Sequence, residues 1–127
     1  MPQNLDTNQE RPTIWVGHIE LRVSNLNASL EFFKCLGMRE IAKPPGIRVL
    51  ELRGGTHLIL REQANAEPLP ASFDLMVDDL ELLAKRLKNF GYTTQPIRAG
   101  ILHQTFEATE PSGHVITFYD THVVGLV

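Results

Sequence analysis

Two stretches of the chain decide its fold: His18–Met38 reads HIELRVSNLNASLEFFKCLGM, and Ser72–Tyr92 reads SFDLMVDDLELLAKRLKNFGY. The second stretch aligns with the first without a gap, and the alignment pairs Gly37 with Gly91. Few residues are identical, but apolar, polar and turn-forming positions recur in the same order. Such internal similarity is typical of a duplicated structural unit. The sequence therefore predicts two tandem modules.

Each stretch begins as a strand and continues as a helix. Apolar and polar residues alternate in 18–23 and in 72–77, the period of a sheet with two unlike faces. The helices are predicted to begin at polar caps, Asn25 or Asn27 in the first and Asp78 in the second. Glycines follow both helices, as is common at helix ends. Their apolar faces are predicted to comprise Leu26, Phe33 and Leu36 in the first helix and Leu80, Leu83, Leu87 and Phe90 in the second.

Three further strands are predicted after each helix, separated by proline and glycine turns at 44–46, 54–55 and 111–113. The six strands are expected near Met38–Lys43, Arg48–Leu52, Thr56–Arg61, Thr93–Arg98, Leu102–Ala108 and His114–Tyr119. The predicted fold class is α+β. Two tandem βαβββ modules would form a curved mixed sheet around a cleft, with the helices outside.

The expected domain organisation follows from this repeat. A flexible N-terminal arm is expected at 1–13, and it resembles neither a signal peptide nor a transit peptide. One domain would fill 14–127, with module one at 14–62, a linker at 63–71, module two at 72–120 and a C-terminal tail at 121–127.

Composition limits the function classes. Apolar residues make up 43% of the chain and charged residues 21%, as in ordinary globular proteins. The net charge of −3 gives no reason to expect a nucleic acid or an anionic membrane as partner. The single cysteine, Cys35, excludes an intrachain disulfide and favours the cytoplasm. We interpret it as a packing residue of the first helix.

The first strand of each module predicts a second, polar sheet face. Because the apolar residues must pack on the helix, the residues between them must point to the other side. These are His18, Glu20 and Arg22 in module one and Ser72, Asp74 and Met76 in module two. A plain solvated sheet would also explain them. Two paired modules favour a shared concave surface instead, and thus a pocket for a small molecule.

These motifs, together with GGTHLIL at 54–60 and EPSGHVITFYD at 110–120, resemble the vicinal oxygen chelate superfamily. This group comprises glyoxalases, bleomycin-resistance proteins, fosfomycin-resistance thiol transferases and extradiol dioxygenases. The resemblance runs from about Ile14 to Tyr119. It implies the two-module fold, and it implies either a metal-dependent enzyme or a metal-free binding protein, since the fold hosts both.

In metal-dependent members the ligands come from the first and last strands of each module. The resemblance places His18 at one of these positions, Ser72 and Thr117 at two others, and the fourth near Leu60. Hydroxyl side chains are poor ligands for zinc or iron. The resemblance therefore leaves two alternatives: a metal-free cleft, or a divalent-metal-dependent lyase, isomerase or dioxygenase with a non-standard ligand set. The metal would be zinc, iron, manganese or nickel.

The hairpin around 111–113 supplies candidates for such a set. Its register places Thr105 or Glu107 beside Thr117, and strand alternation places His103 and Glu107 on the face opposite Phe106. The candidate metal ligands are therefore His18, His103 and Glu107. Glu107 and Glu20 are the candidate catalytic residues, as proton acceptors.

The other candidates would bind the ligand. They are Arg22, Ser72, Asp74, Met76, Thr117 and Tyr119, and Trp15 would help to line the cleft. His57 and His114 are interpreted as structural or surface residues, the facing of His57 is left open, and His122 in the tail could cover the cleft. The resemblance and the open sheet edges also imply a homodimer.

Overall fold

The structure is a computed structural model, and it describes residues 12–121. The tail residue His122 and most of the predicted arm therefore lie outside the described residues. Module one has the order strand, helix and three strands. Its elements are β1 (His18–Val23), α1 (Leu26–Cys35), β2 (Arg39–Ala42), β3 (Ile47–Glu51) and β4 (His57–Glu62).

Module two repeats this order with one interruption. The strand predicted at 93–98 is divided, because Pro96 lies in its middle and has no N–H to give to a neighbouring strand. The elements are β5 (Pro70–Val77), α2 (Leu80–Asn89), β6 (Thr93–Thr94), β7 (Arg98–Ala99), β8 (Gln104–Thr109) and β9 (Val115–Asp120). The predicted α+β fold of two βαβββ modules is confirmed.

The strands form two separate mixed sheets. The sheet of module one has the order β1-β4-β3-β2, and the sheet of module two has the order β5-β9-β8-β6, with β7 also pairing with β8. In each sheet the first strand runs parallel to the last, β1 beside β4 and β5 beside β9. Each first strand is therefore an outer strand of its sheet among the described residues.

The helix caps were predicted correctly for one helix and wrongly for the other. The Asn25 side chain accepts a hydrogen bond from the backbone N–H of Ala28, so Asn25 caps α1. Asp79 caps α2, by accepting from the N–H of Leu82 at 3.0 Å. The predicted cap Asp78 instead forms an ion pair with Arg53 of module one. This guanidinium lowers the pKa of Asp78, first by hydrogen bonding and second by its charge.

Buried apolar side chains from both modules form one hydrophobic cluster. Helix α1 packs on β3 and β4, and helix α2 packs on β6, β8 and β9. The predicted apolar faces are buried as expected for Leu26 and Phe33 and for the three leucines of α2, while Leu36 is half-buried. Phe90 was predicted wrongly, since 70% of it is exposed at the end of α2.

A buried polar network joins the two modules. Glu110, in the turn between β8 and β9, accepts a hydrogen bond from the Ser29 hydroxyl of α1 at 2.5 Å. Ser112 of the same turn lies 2.7 Å from that hydroxyl and accepts from the backbone N–H of Asn25. His114 completes the network, with its Nε2 2.7 Å from the carbonyl oxygen of Arg22. The turn of module two is thus bonded to the first turn of α1.

No helix within 12–121 is both long and apolar enough to cross a membrane.

Candidate functional site

Strand pairing gives module one a face of polar side chains directed away from its core. In β1 the residues Leu21 and Val23 are buried, and the residues that alternate with them are exposed. The parallel partner β4 contributes matching positions in register. We call this surface the module-one polar face: His18, Glu20, Arg22, His57, Ile59 and Arg61. It contains all three residues that the alternation of β1 predicted.

Two histidines lie side by side at one end of the module-one polar face. His18 and His57 are partners in register, and their rings stack with centroids 5.4 Å apart and planes 24° apart. His57 was interpreted as structural or surface, with its facing left open. The direction of His57 follows from the burial of Leu58 and Leu60. Since neighbouring residues of a strand point to opposite faces, His57 points away from the core.

Glu51 extends the histidine row across the sheet. It is the register partner of His57 on β3, and Arg39 is its partner on β2. The Arg39 guanidinium donates to the Glu51 carboxylate, with Nε 2.8 Å from Oε1. The Glu51 carboxylate, which lies in register with His57, is therefore already paired with the Arg39 guanidinium.

At the other end of the module-one polar face, one carboxylate lies close to two arginines. Glu20 accepts from Arg61 Nε at 2.8 Å, and its second oxygen lies 3.7 Å from Arg22 Nε. Arg22 and Arg61 are themselves register partners. Arg61 was absent from the predicted site, because its position beside Arg22 depends on a pairing between residues that are 39 positions apart in the sequence.

Module two has a corresponding face. The register places Asp74 beside Thr117 and Met76 beside Tyr119, and Glu107 lies directly opposite Thr117, as one of the two predicted registers required. We call this surface the module-two polar face: Asp74, Met76, Thr105, Glu107, Thr117 and Tyr119. Arg98 donates to the Glu107 carboxylate at 3.1 Å. Ser72 is exposed on β5, where the pairing with β9 shifts register.

His103 precedes β8 and lies at the edge of the module-two polar face. Its Nδ1 is 2.7 Å from the backbone oxygen of Asp120, and its ring contacts the ring of Tyr119 edge-on, with centroids 5.1 Å apart. The side chain of Asp120 lies near the same nitrogen, at 3.5 Å. His103 is therefore held against the end of β9.

His18, His103 and Glu107 are not gathered into one cluster. Across residues 12–121, no three histidine, cysteine, aspartate or glutamate side chains are grouped so that they could hold a metal ion. His18 belongs to the sheet of module one, whereas His103 and Glu107 belong to module two. Within one chain the structure thus presents two half-surfaces, each with its own polar groups.

A groove of about 790 Å³ lies between the modules, and neither His18 nor His57 lines it. Its lining includes Met38, Leu52 and Arg53 of module one and Leu82 and Arg86 of module two. Among the residues of the two polar faces, only Met76 contributes to this lining. Trp15, which was expected to line the cleft, is 70% exposed and is not part of the groove.

Cys35 and His114 have surroundings that suit a structural role. Burial raises the pKa of the Cys35 thiol, and the positive charge of Arg86 opposes this only in part. The raised pKa disfavours the reactive thiolate. His114 is buried, and its two ring nitrogens lie within 2.9 Å of the backbone oxygens of Leu69 and Arg22. Both residues match their interpretation as structural.

Comparison with known proteins places these features in a family. The family model described as Glyoxalase/Bleomycin resistance protein/Dioxygenase superfamily matches residues 15–118. No curated protein matches the chain. Among solved structures, the fosfomycin resistance protein FosX from Listeria monocytogenes is similar, with a TM-score of 0.70 and 16% identity over 85% of this chain and 93% of that one.

Two other solved structures are similar to the same degree. Lactoylglutathione lyase from Agrobacterium tumefaciens has a TM-score of 0.69 and 16% identity, over 91% of this chain and 100% of that one. TnmS3, an antibiotic-binding protein from Streptomyces sp. CB03234, has a TM-score of 0.67 and 18% identity, over 87% of this chain and 98% of that one. At these identities the likeness concerns the fold.

Proposed function

Because the chain belongs to the Glyoxalase/Bleomycin resistance protein/Dioxygenase superfamily, we propose that it binds a small organic molecule against the polar faces of its sheets. The observation that carries the proposal is the module-one polar face. It sets two histidines, two arginines and one glutamate around the apolar Ile59, on the side of the sheet opposite the core. Small-molecule sites combine apolar surface with a few placed polar groups in this manner.

The similar solved structures include both a binding protein and a protein solved with a metal ion. TnmS3 is described as an antibiotic-binding protein. A FosX mutant was solved with Mn(II) and a dihydroxypropylphosphonic acid. The present chain supplies two imidazoles, of His18 and His57, whereas a catalytic zinc site uses three protein ligands. Glu51 is bonded to Arg39 and Glu107 to Arg98. Because a single copy of the described chain, residues 12–121, groups no three such donors, we favour metal-free binding.

We also propose that the binding unit is a homodimer. Strands β1 and β5 carry much of the two polar faces, and each leaves one edge unpaired among the described residues. Unpaired strand edges favour association with another chain. A second copy that sets its module-two polar face beside the module-one polar face would join the two half-surfaces into one cleft. The single free cysteine agrees with the cytoplasm as the proposed compartment.

The location of the ligand can be tested with two tryptophan variants. A collection of fragments that contains carboxylates, phosphonates, phenols and uncharged aromatics would be screened by protein NMR. Ile59→Trp fills the module-one polar face, and Leu82→Trp fills the groove between the modules, where Leu82 is 55% exposed. We expect fragments that bind the wild type to lose affinity for Ile59→Trp by about tenfold or more, about 1.4 kcal/mol.

The same fragments should bind Leu82→Trp with their wild-type affinity. Loss of binding in Leu82→Trp alone would move the ligand to the groove and refute the proposal. An absence of any fragment that is sensitive to Ile59→Trp would also refute it.

The dimer is tested by sedimentation velocity at micromolar concentration. We expect a species of twice the 14.3 kDa chain mass. A charged substitution on the outer strand, Ile19→Lys, would be a poor probe, because Ile19 also packs against the core. Ser72→Pro suits the purpose better, since Ser72 is exposed on the outer strand β5, and proline has no N–H to pair with another chain. The substitution should shift the species toward monomer. A wild-type protein that sediments only as a monomer would contradict this part of the proposal.

A further inference from the structure

Two like charges are paired across the module-one polar face. Arg22 on β1 and Arg61 on β4 occupy the same register position in adjacent strands. Like charges directly opposite one another destabilise a sheet. Glu20 is the carboxylate that approaches both guanidinium groups, at 2.8 Å from Arg61 and 3.7 Å from Arg22. The single negative charge of Glu20 therefore balances only one of the two guanidinium charges.

The other arginines of the polar faces and their margins are matched one to one. Arg39 pairs with Glu51, and Arg98 pairs with Glu107. In residues 12–121, Arg22 and Arg61 have no ion pair except with Glu20. The further hydrogen bond of Arg22 is a 3.4 Å contact with the Gln63 side chain. Each guanidinium has five donors, and the side chains of Arg22 and Arg61 are 61% and 45% exposed, so this pair has further donors that can bind a ligand.

Apolar side chains lie next to the pair on the same face. Ile47 of β3 is the register partner of Arg61, and Ile59 lies one row further along, between Glu20 and Val49. The stacked His18 and His57 form the row beyond. Four residues along a strand span about 13 Å. A molecule of that length would reach from the arginines across the isoleucine to the histidines.

We propose that the Arg22–Arg61 pair binds the oxyanion of the ligand, a carboxylate, phosphonate or phosphate attached to an apolar body. This inference rests on the proposed function and names its ligand class. The planar guanidinium matches such oxyanions in two-point hydrogen bonding. Glu20 occupies the place of the ligand anion in the unliganded protein, and it competes with the ligand for the two arginines. The apolar body lies over Ile59.

The probes are benzoate, phenylphosphonate and the uncharged benzamide, each titrated by NMR at low ionic strength. We expect both anions to bind at least about tenfold more tightly than benzamide, because hydrogen bonds between charged groups exceed neutral ones by such a margin. Arg22→Gln and Arg61→Gln should each weaken anion binding by about tenfold and leave benzamide binding unchanged. Glu20→Gln should strengthen anion binding, since it removes the competing carboxylate.

Arg39→Gln is the matched control, as it removes a cation from the same sheet without contact with the pair. It should leave the affinity for both anions within about twofold of wild type, since Arg39 lies on β2, two strands away from β4, and its guanidinium is paired with Glu51. Anion binding that is unchanged in Arg61→Gln, or weakened in Glu20→Gln, would overturn the inference. If fragments sensitive to Ile59→Trp exist but all are uncharged, the proposed function stands and this inference fails. If no fragment is sensitive to Ile59→Trp, both fail.

Discussion

Replacing Glu110 with alanine is expected to lower the free energy of unfolding by about 3 kcal/mol or more, because it leaves two buried donors without an acceptor, and each such group costs about 1–3 kcal/mol. The residue is 1% exposed. Its carboxylate accepts from the Ser29 hydroxyl at 2.5 Å and from the His114 backbone N–H at 3.1 Å. Alanine removes both acceptors from a site that water does not reach. Since Ser29 belongs to module one, the substitution also removes one of the polar links between the modules.

Urea unfolding followed by circular dichroism would measure this loss. Glu110→Gln should fall between alanine and wild type, because the amide keeps one acceptor oxygen but turns its NH₂ group toward a donor. Glu67→Ala is the matched control at an exposed glutamate, and it should change the free energy of unfolding by no more than about 0.5 kcal/mol. A Glu110→Ala protein with the wild-type midpoint would contradict the importance of the network.

The second large effect is expected for Gly113→Ala, in the same turn. Gly113 has a φ of +95°, and a Cβ atom built on it would lie 2.5 Å from Cβ of Pro68. Left-handed backbone costs an alanine about 1–2 kcal/mol, and relief of the overlap should add about 1–3 kcal/mol. The substitution would therefore destabilise the fold through both backbone strain and contact with the linker.

Gly91→Ala separates the two causes. Gly91 has a similar φ of +85°, but a Cβ atom added to it would meet no other atom within 4 Å. It should therefore show only the backbone cost of about 1–2 kcal/mol. Thermal and urea unfolding of both variants, and of Gly113→Ala combined with Pro68→Gly, would give the contribution of the overlap. Equal losses for Gly113→Ala and Gly91→Ala would show that the contact with Pro68 has no energetic weight.

The repeat carried most of the information about the fold, because strand alternation, helix periodicity and glycine position are local properties. The failures came from contacts between distant residues. Asp78 was the predicted cap of α2, but its neighbour Asp79 forms the cap, while Asp78 pairs with Arg53, 25 residues away. Phe90 fits the apolar period of α2 yet lies beyond the last residue that packs on the sheet.

The polar faces were predictable to the extent that each strand shows which side is buried. In β1 and around the β8–β9 hairpin the alternation is clear, and Glu107 was placed beside Thr117 correctly as one of two registers. In β4 three consecutive apolar residues, Leu58, Ile59 and Leu60, hide the alternation. His57 and Arg61 were therefore not assigned to the polar face, since their facing follows only from the burial of Leu58 and Leu60 and from the pairing of β4 with β1 and β3.

Selection for heat resistance and selection for ligand binding should act on the Arg22–Arg61 register in opposite directions. A neutral residue at either position would relieve the repulsion between the two guanidinium groups, so a screen for stability alone would enrich such replacements. The same replacements would remove half of the proposed anion clamp. Stability–activity trade-offs of this kind are common where a site keeps charges together that the fold does not need. At these two arginines, the replacements that stabilise the fold would therefore be the ones that weaken ligand binding.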